Sequence, residues 1–304
     1  MNGILLIDKP AGWTSFDVIG KLRGILRTRR LGHAGTLDPM ATGVLPVFVG
    51  CATKACGILP TEDKAYQADF QLGTETDTQD STGTVLRQSA FPVLTQAQLL
   101  AAIPQGDILQ IPPMYSAVKV GGKKLYELAR EGKTAERTPR PAQVYSVRIL
   151  RYDPQTGAGS AEIFCGKGTY VRTLLHDMGQ TLGCGAMMTG LRRTQACGFP
   201  VTQCHSIEEV QQAADLGRAE ELLIPIEQAF SGLAQIHLNR EQTRLYRNGV
   251  KLTLDQTGQG HSGGEPQRYA VYGDPEGFLG TAYPDREAGV LRVERNLREP
   301  DQTN

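Results

Sequence analysis

The apolar run Ile4 to Ile7, followed at once by Asp8-Lys9-Pro10, predicts a short strand that ends in a turn. Phe16, Ile19, Leu22 and Leu26 then recur at helical spacing and predict the buried face of a helix, capped by Thr14 or Ser15 and running to about Arg27. After a helix near Thr53 to Leu59, Lys64 to Gly73 (KAYQADFQLG) alternates apolar and polar residues as a half-buried strand does. Thr74 to Gly83 is a polar turn in which Asp77 and Asp80 read as turn formers. Thr95 to Ala102 predicts a capped helix. Ile111 to Val120 leads through Gly121-Gly122 into Lys123 to Arg130, a basic segment amphipathic at helical spacing, whose composition suits a clamp on an RNA backbone. Strands are predicted at Gln143 to Tyr152 and Ser160 to Cys165, followed by a helix from Thr169 or Thr173 that carries Tyr170, Arg172, His176 and Asp177. Leu191 to Arg193 closes this portion ahead of another strand-like stretch through Thr202, and Glu208 to Ala214 and Leu222 to Phe230 are acidic, helix-like segments.

From Gly232 the texture changes to short apolar runs divided by Gly, Pro and Asp: 234–238, 249–254, 268–272, 277–282 and 290–293. That pattern predicts a small β-rich domain. With 304 residues the chain exceeds the size at which one core is comfortable, so the division expected is 1–231 and 232–304. The tract Gln256 to Gln267 reads as a flexible loop and the tail beyond Glu299 as disordered. No internal repeat is present.

Charge changes this picture through its distribution. The formal net charge is zero, yet residues 1–54 carry seven Lys/Arg against three Asp/Glu, and residues 119–151 carry nine against three. Residues 60–107 hold seven acids against two bases, and 207–230 six against one. Segregation of this kind can build a basic face on a neutral molecule. The six cysteines form no CxxC pair and the five histidines are scattered, so neither zinc nor a disulfide framework is expected. The N-terminal Met1 to Asp8 is too short and too soon charged for a signal peptide, and no membrane-spanning run occurs, which predicts a cytoplasmic protein.

The richest candidate chemistry lies in Leu31-Gly-His-Ala-Gly-Thr-Leu-Asp-Pro-Met-Ala-Thr-Gly-Val-Leu-Pro46. One carboxylate, Asp38, sits among small residues with His33 five positions ahead. Gly32, Gly35 and Gly43 permit unusual backbone and close approach of a ligand, while Pro39 biases Asp38 toward an extended conformation. Apolar residues on both sides anchor the loop into a core at each end. A carboxylate held on a stiff loop is what nucleophilic or acid/base catalysis requires. Thr28-Arg29-Arg30 brings a basic knot up to this loop, where it could hold phosphates. Arg172, near the start of its helix, opposes the helix dipole and calls for an anion nearby.

These residues carry a family resemblance. GHAGTLDPMATGVLP (32–46), KAYQADFQLGTETDTQDSTG (64–83), PPMYSAVKVGGKKLYELAREG (112–132) and GKGTYVRTLLHDMG (166–179) resemble, in this order, the motifs of the bacterial tRNA pseudouridine synthase B (TruB) family, and the likeness runs nearly end to end. Family members usually have Thr where Ala34 stands and Leu where Met40 stands; neither position supplies the catalytic carboxylate. The resemblance implies an α/β (α+β) catalytic domain on a mixed, largely antiparallel sheet, an RNA-gripping insertion at about 112–140, and a C-terminal PUA-like domain in which Arg247-Asn-Gly-Val-Lys251 matches a PUA loop motif.

It further implies isomerisation of uridine 55 in the T loop of tRNA, with tRNA as partner, no obligatory protein partner, and no metal or nucleotide cofactor, because breaking and remaking the glycosidic bond involves no net redox change. Asp38 occupies the essential aspartate position, attacking ribose C1′ or acting as a base at C2′. Arg172 matches the arginine that pairs with it, and Asp80 becomes an alternative partner for that arginine. Tyr66 matches the tyrosine that stacks on the flipped base and assists removal of the C5 proton. Leu191 packs at the pocket wall, His33 fills the space the flipped nucleotide leaves, and Lys9 and Tyr170 support the pocket. Rival readings are a noncatalytic RNA-folding module, which intact Asp38, Tyr66 and Arg172 disfavour, and a magnesium-dependent aspartyl enzyme, which lacks a companion acid cluster.

Overall fold

The computed structural model of the chain describes residues 1–258 and 267–298. Most of the flexible loop expected at 256–267, and the disordered tail expected beyond 299, lie outside the described residues. In chain order the first half comprises β1 (Gly3–Lys9), α1 (Ser15–Ile25), β2 (Leu31–His33), β3 (Thr42–Val49), β4 (Lys64–Leu72), β5 (Thr74–Thr76), β6 (Val85–Gln88), α2 (Gln96–Ala102) and β7 (Gly106–Gln110). The basic arm follows as β8 (Lys119–Val120), β9 (Lys123–Lys124) and the short α3 (Leu125–Arg130). Then come β10 (Arg140–Tyr152), β11 (Ala158–Cys165), α4 (Val171–Thr181), β12 (Ala186–Ala196), β13 (Phe199–Pro200) and α5 (Ile207–Asp215). The remainder is β14 (Ala234–Leu238), α6 (Arg240–Arg247), β15 (Leu252–Thr253), β16 (Tyr269–Gly273), β17 (Gly277–Asp285) and β18 (Val290–Asn296).

A large sheet runs β1-β3-β12-β4-β11-β10-β7, with β2 beside β3 and β13 beside β12. Its pairs are antiparallel except β3 with β12. A second sheet, β14-β16-β17-β18-β15, is built from residues 234–296. The mixed α/β architecture and the β-rich second part agree with the sequence.

The unbroken apolar run of β1 follows from burial of both of its faces. Leu5 and Ile7 share a core with Leu45, Val47 and Val49 of β3 and with Val18, Ile19, Leu22 and Leu26 around α1. Ile4 and Leu6 face the opposite way and pack with Val44, Phe48, Phe230 and, from the second sheet, Ala270 and Phe278. The outer edge of β1 is closed by returning chain: Ile4 exchanges backbone hydrogen bonds with Ile224, and Leu6 accepts from His205. The second sheet is therefore docked on the first through Phe230, which is fully buried and stacks on Phe278 at a centroid distance of 5.8 Å. Phe230→Ala is expected to lower stability by about 3–5 kcal/mol, the usual cost of emptying an aromatic site. Urea unfolding checks this, and a loss under about 1 kcal/mol would mean that the sheets dock without that ring.

Several sequence-based expectations need correction. Phe16 is exposed rather than buried; Ile19, Leu22 and Leu26 are buried as expected, and Ser15 and Val18 complete the buried stripe in its place. The segment after β3 is a 3-10 helix at Gly50–Ala55, earlier than expected. The α4 helix starts at Val171, between the two starts expected, with Tyr170 as its N-cap and no side-chain capping bond. Leu191 to Arg193 lies in the middle of β12 rather than at the close of a segment. The acidic stretch after α5 forms 3-10 turns at Ala219–Leu222 and Ile226–Phe230. The α6 helix lay in a part read as strands only. Among the described residues no helix is long and apolar enough to cross a membrane, and no cluster of three or more His, Cys, Asp or Glu could hold a metal.

Candidate active site

The parallel pairing of β3 with β12 lasts only two residue pairs, Thr42 with Arg192 and Gly43 with Arg193. At that point the strands part, and residues 34–41 leave the sheet as the Asp38 loop. Gly43 is obligatory at the junction: its φ is +100°, and a Cβ there would run into the carbonyl oxygen of Arg193. The loop is pinned along its length. Ala34 N–H donates to the Pro46 carbonyl at 3.1 Å, Leu37 N–H to Ser15 Oγ at 2.9 Å, and Ala41 N–H to the Asp38 carbonyl at 3.0 Å. Lys9 Nζ donates to the Pro39 carbonyl at 3.2 Å, and Arg193 Nη2 to that of Gly35 at 3.0 Å. Ala34 lies in one core, Leu37 and Ala41 in another, so a carboxylate between them has little freedom.

Asp38 meets Arg172 of α4 across 3.2 Å. The other guanidinium nitrogen of Arg172 lies 3.5 Å from Asp80. The anion that the position of Arg172 called for is thus supplied twice, by Asp38 and by Asp80. Arg172 also donates to the Tyr115 carbonyl at 2.7 Å, which ties the base of the basic arm to the same side chain. Asp80 serves as a turn former too: its Oδ1 accepts from Thr78 Oγ1 at 2.8 Å and from Thr82 N–H at 2.9 Å, leaving Oδ2 for Arg172. The turn is fastened to α4 by Thr173 Oγ1, which donates to Gln79 Oε1, and to β12 through the bonds of Gln79 and Ser81 with Met188.

The Asp38 side chain retains about a third of its exposure, enough for a ligand to reach it, while that of Arg172 is 6% exposed. Burial pushes the Asp38 carboxyl above its ordinary range; Arg172 and, more weakly, Lys9 pull it back, whereas Asp80 adds to the rise. Lys9 is fully buried and its amine donates to the carbonyls of Pro10 and Trp13 as well as Pro39. Burial lowers it to about 8 against the opposing pull of Asp38.

Tyr66 and Ala68 of β4 pair with Arg193 and Leu191 of β12, and alternation puts all four on the face toward α4. Tyr66 is buried, and that burial drives its phenol up to about 12 against the neighbouring Arg193 guanidinium. Leu191 packs on the core that contains Tyr66 and Leu37. His33 ends β2 and is held neutral by burial and by Arg193; its Nδ1 has no hydrogen-bond partner. Tyr170 is clamped through its backbone by Gln110, whose amide accepts from the Tyr170 N–H at 2.9 Å and donates to its carbonyl at 3.2 Å. The eight residues singled out in the sequence therefore belong to one region, on the Asp38 loop, the flanking strands β1, β2, β4 and β12, the turn after β5, and the start of α4. Sequence reasoning missed Ser15, Gln110 and Arg193. None of the three left a signal of its own, and Arg193 stands beside a second arginine, Arg192, in β12.

Sequence comparison matches residues 23–171 to the TruB family pseudouridylate synthase N-terminal domain and residues 172–231 to the tRNA pseudouridylate synthase B C-terminal domain. The tRNA pseudouridine synthase B of Dehalococcoides mccartyi is 39% identical over 289 residues, which is 94% of each chain. That of Pasteurella multocida is 38% identical over 98% of this chain and 96% of its own. That of Lactobacillus delbrueckii is 43% identical over 84% and 88%. Among solved structures, a Cbf5-Nop10-Gar1 complex superposes with a TM-score of 0.75 at 23% identity, covering 98% of this chain and 86% of the other, and shares the fold. The carboxylate, arginine and tyrosine assembled on that fold thus sit in a chain that belongs to the TruB family of pseudouridylate synthases and is an isomerase of that class.

Proposed function

We propose that the protein converts uridine 55 in the T loop of tRNA to pseudouridine, with Asp38 acting at the ribose of a flipped nucleotide. The observation that carries this reading is the Asp38–Arg172–Asp80 chain: a carboxylate on a pinned loop, open to a ligand on one side and held by a buried guanidinium on the other. The relatives' names supply tRNA as the substrate class. A T-loop uridine is stacked, so it must be extruded at a cost of a few kcal/mol before C1′ comes within reach of Asp38. His33, at the head of the loop and uncharged at neutral pH, takes the place the base vacates. Tyr66 and Leu191 receive the uracil and keep water from C1′, where capture would release free base.

In this division of labour residues 1–231 perform the chemistry and 232–304 bind RNA as a PUA-like unit, while the arm within 112–140 grips the phosphate backbone. Lys119, Lys123, Arg130 and Lys133 of the arm are exposed, and Arg29 and Arg30 lie exposed beside the Asp38 loop, consistent with phosphate contacts and with binding that weakens in salt. The test is tritium release from an unmodified tRNA transcript labelled at uridine C5, followed by mapping of the product. One tritium released per tRNA, with pseudouridine at position 55, is expected. Product confined to another uridine, or no release at all, would overturn the assignment.

A further inference from the structure

Arg193 is the largest of the fully buried side chains, and its hydrogen bonds go to backbone carbonyls alone: Nε to Val44 at 2.7 Å and Nη2 to Gly35 at 3.0 Å. Nη1 is buried without a partner. Its charged neighbours make matters worse, since Lys9, His33 and Lys64 are all held toward their neutral forms in part by Arg193 itself. A buried cation that no carboxylate neutralises is expensive, and an apolar residue of similar size would stabilise this interior better. Its placement offsets that cost through function. One guanidinium joins the catalytic loop at Gly35 to β3 at Val44, and Arg193 is the cross-strand neighbour of Tyr66.

We propose that Arg193 is a positioning residue for the proton-transfer step: bonded to the Asp38 loop and paired across the strands with Tyr66, it stabilises the Tyr66 phenolate. This rests on the reading in which Tyr66 removes the C5 proton. Once C5 has joined C1′, the phenolate oxygen takes the proton from C5, and the C5–H electron pair forms the C5=C6 double bond. The C6=N1 pair moves onto N1, which takes a proton from water, and the phenol afterwards gives its proton to the hydroxide so formed. Tyr66 faces Arg193 from β12, Cys165 from β11 and Asp38 from the loop. Of these only Arg193 favours the phenolate; ionised Asp38 and Cys165 oppose it, and burial opposes it most. A Tyr66 base therefore needs Arg193 in a way that a purely stacking Tyr66 does not.

The test is single-turnover tritium release measured from pH 6 to pH 10 with Arg193→Met, Arg193→Lys, Tyr66→Phe and the Arg193→Met/Tyr66→Phe pair, alongside tRNA binding. Arg193→Met is expected to slow release about 100-fold at neutral pH, the range of a lost acid/base contribution. The tRNA affinity should stay within about threefold, and Arg193→Lys should recover about tenfold by keeping the charge. In the Tyr66→Phe background the same substitution should cost less than about threefold, because its effect runs through the hydroxyl. A lysine variant no better than methionine, or additivity with Tyr66→Phe, would overturn the proposal and leave Arg193 a structural residue. Should Arg193→Met fail to fold, the coupling of the lysine variant to Tyr66→Phe decides the matter alone. Tyr66→Phe at the parental rate would instead bring down the role given to Tyr66.

Discussion

Asp38→Asn is expected to reduce pseudouridine formation by about 10⁴-fold or more while tRNA affinity changes by less than about threefold. Asparagine preserves the shape and an oxygen for Arg172, and the guanidinium keeps Asp80 as its counter-ion, so the loop has no cause to rearrange. What vanishes is the anionic oxygen, which can neither attack C1′ nor remove a proton from C2′ once it is an amide. Binding should be spared, because on the proposed reading the phosphates meet other residues and deletion of one negative charge can only ease their approach. The parent should show the same requirement as a pH dependence. On the proposed mechanism the carboxylate must be ionised, and burial raises its pKa, so the rate should fall as pH drops through a value above the ordinary carboxylate range. Single-turnover tritium release beside filter binding measures both quantities. Release undiminished in the variant would remove Asp38 from the chemistry altogether.

The parts of this site that were legible in the sequence are those fixed by local constraint. Gly32, Gly35, Gly43 and Pro39 around a lone carboxylate marked a stiff loop, and the structure pins that loop to Ser15, Lys9 and Arg193. Arg172 at a helix start implied a nearby anion on electrostatic grounds alone. Which anion it was could not be read from spacing, since Asp38 and Asp80 lie 134 and 92 positions away and only the sheet order brings them to one guanidinium. Asp80 looked like a turn former because it is one; nothing local distinguishes a carboxylate with one oxygen in the turn and the other on Arg172. Phe16 was misplaced because Ser15 and Phe16 begin two nearly coincident helical stripes, and the small residue took the buried one to bond with Leu37. The α6 helix escaped because Thr243 and Tyr246 are all it buries, although Asn239 and Gln242 form a capping box at its start. Arg193 was out of reach for the opposite reason: its partners are backbone carbonyls, which carry no signature in sequence.

Arg172→Met should be nearly as damaging, by about 10³-fold in rate, and should reveal more about how the site is held. Arg172 is the strongest of the influences lowering the Asp38 pKa, so its loss lets burial and Asp80 act unopposed except by Lys9. The acid limb of the rate profile should then move to higher pH, and part of the lost activity should return in alkaline buffer. Stability should fall as well, by about 3–5 kcal/mol near neutral pH, because two neighbouring carboxylates lose the cation they share. The sign of its pH dependence follows from linkage. With Asp38 raised further in the folded state, the native protein binds a proton that the unfolded chain releases, so the deficit should shrink as pH falls through that raised value toward the ordinary carboxylate range. Arg172→Lys should be intermediate in rate yet shifted in the same direction, since one ammonium cannot span what the guanidinium holds at 3.2 Å and 3.5 Å with separate nitrogens. Thermal melts from pH 4 to pH 8, set beside the rate profiles, test both halves. A deficit independent of pH together with an unmoved acid limb would show that Arg172 supports the fold without governing Asp38, and catalysis would then have to keep the carboxylate ionised through Lys9, the remaining cation that pulls it down.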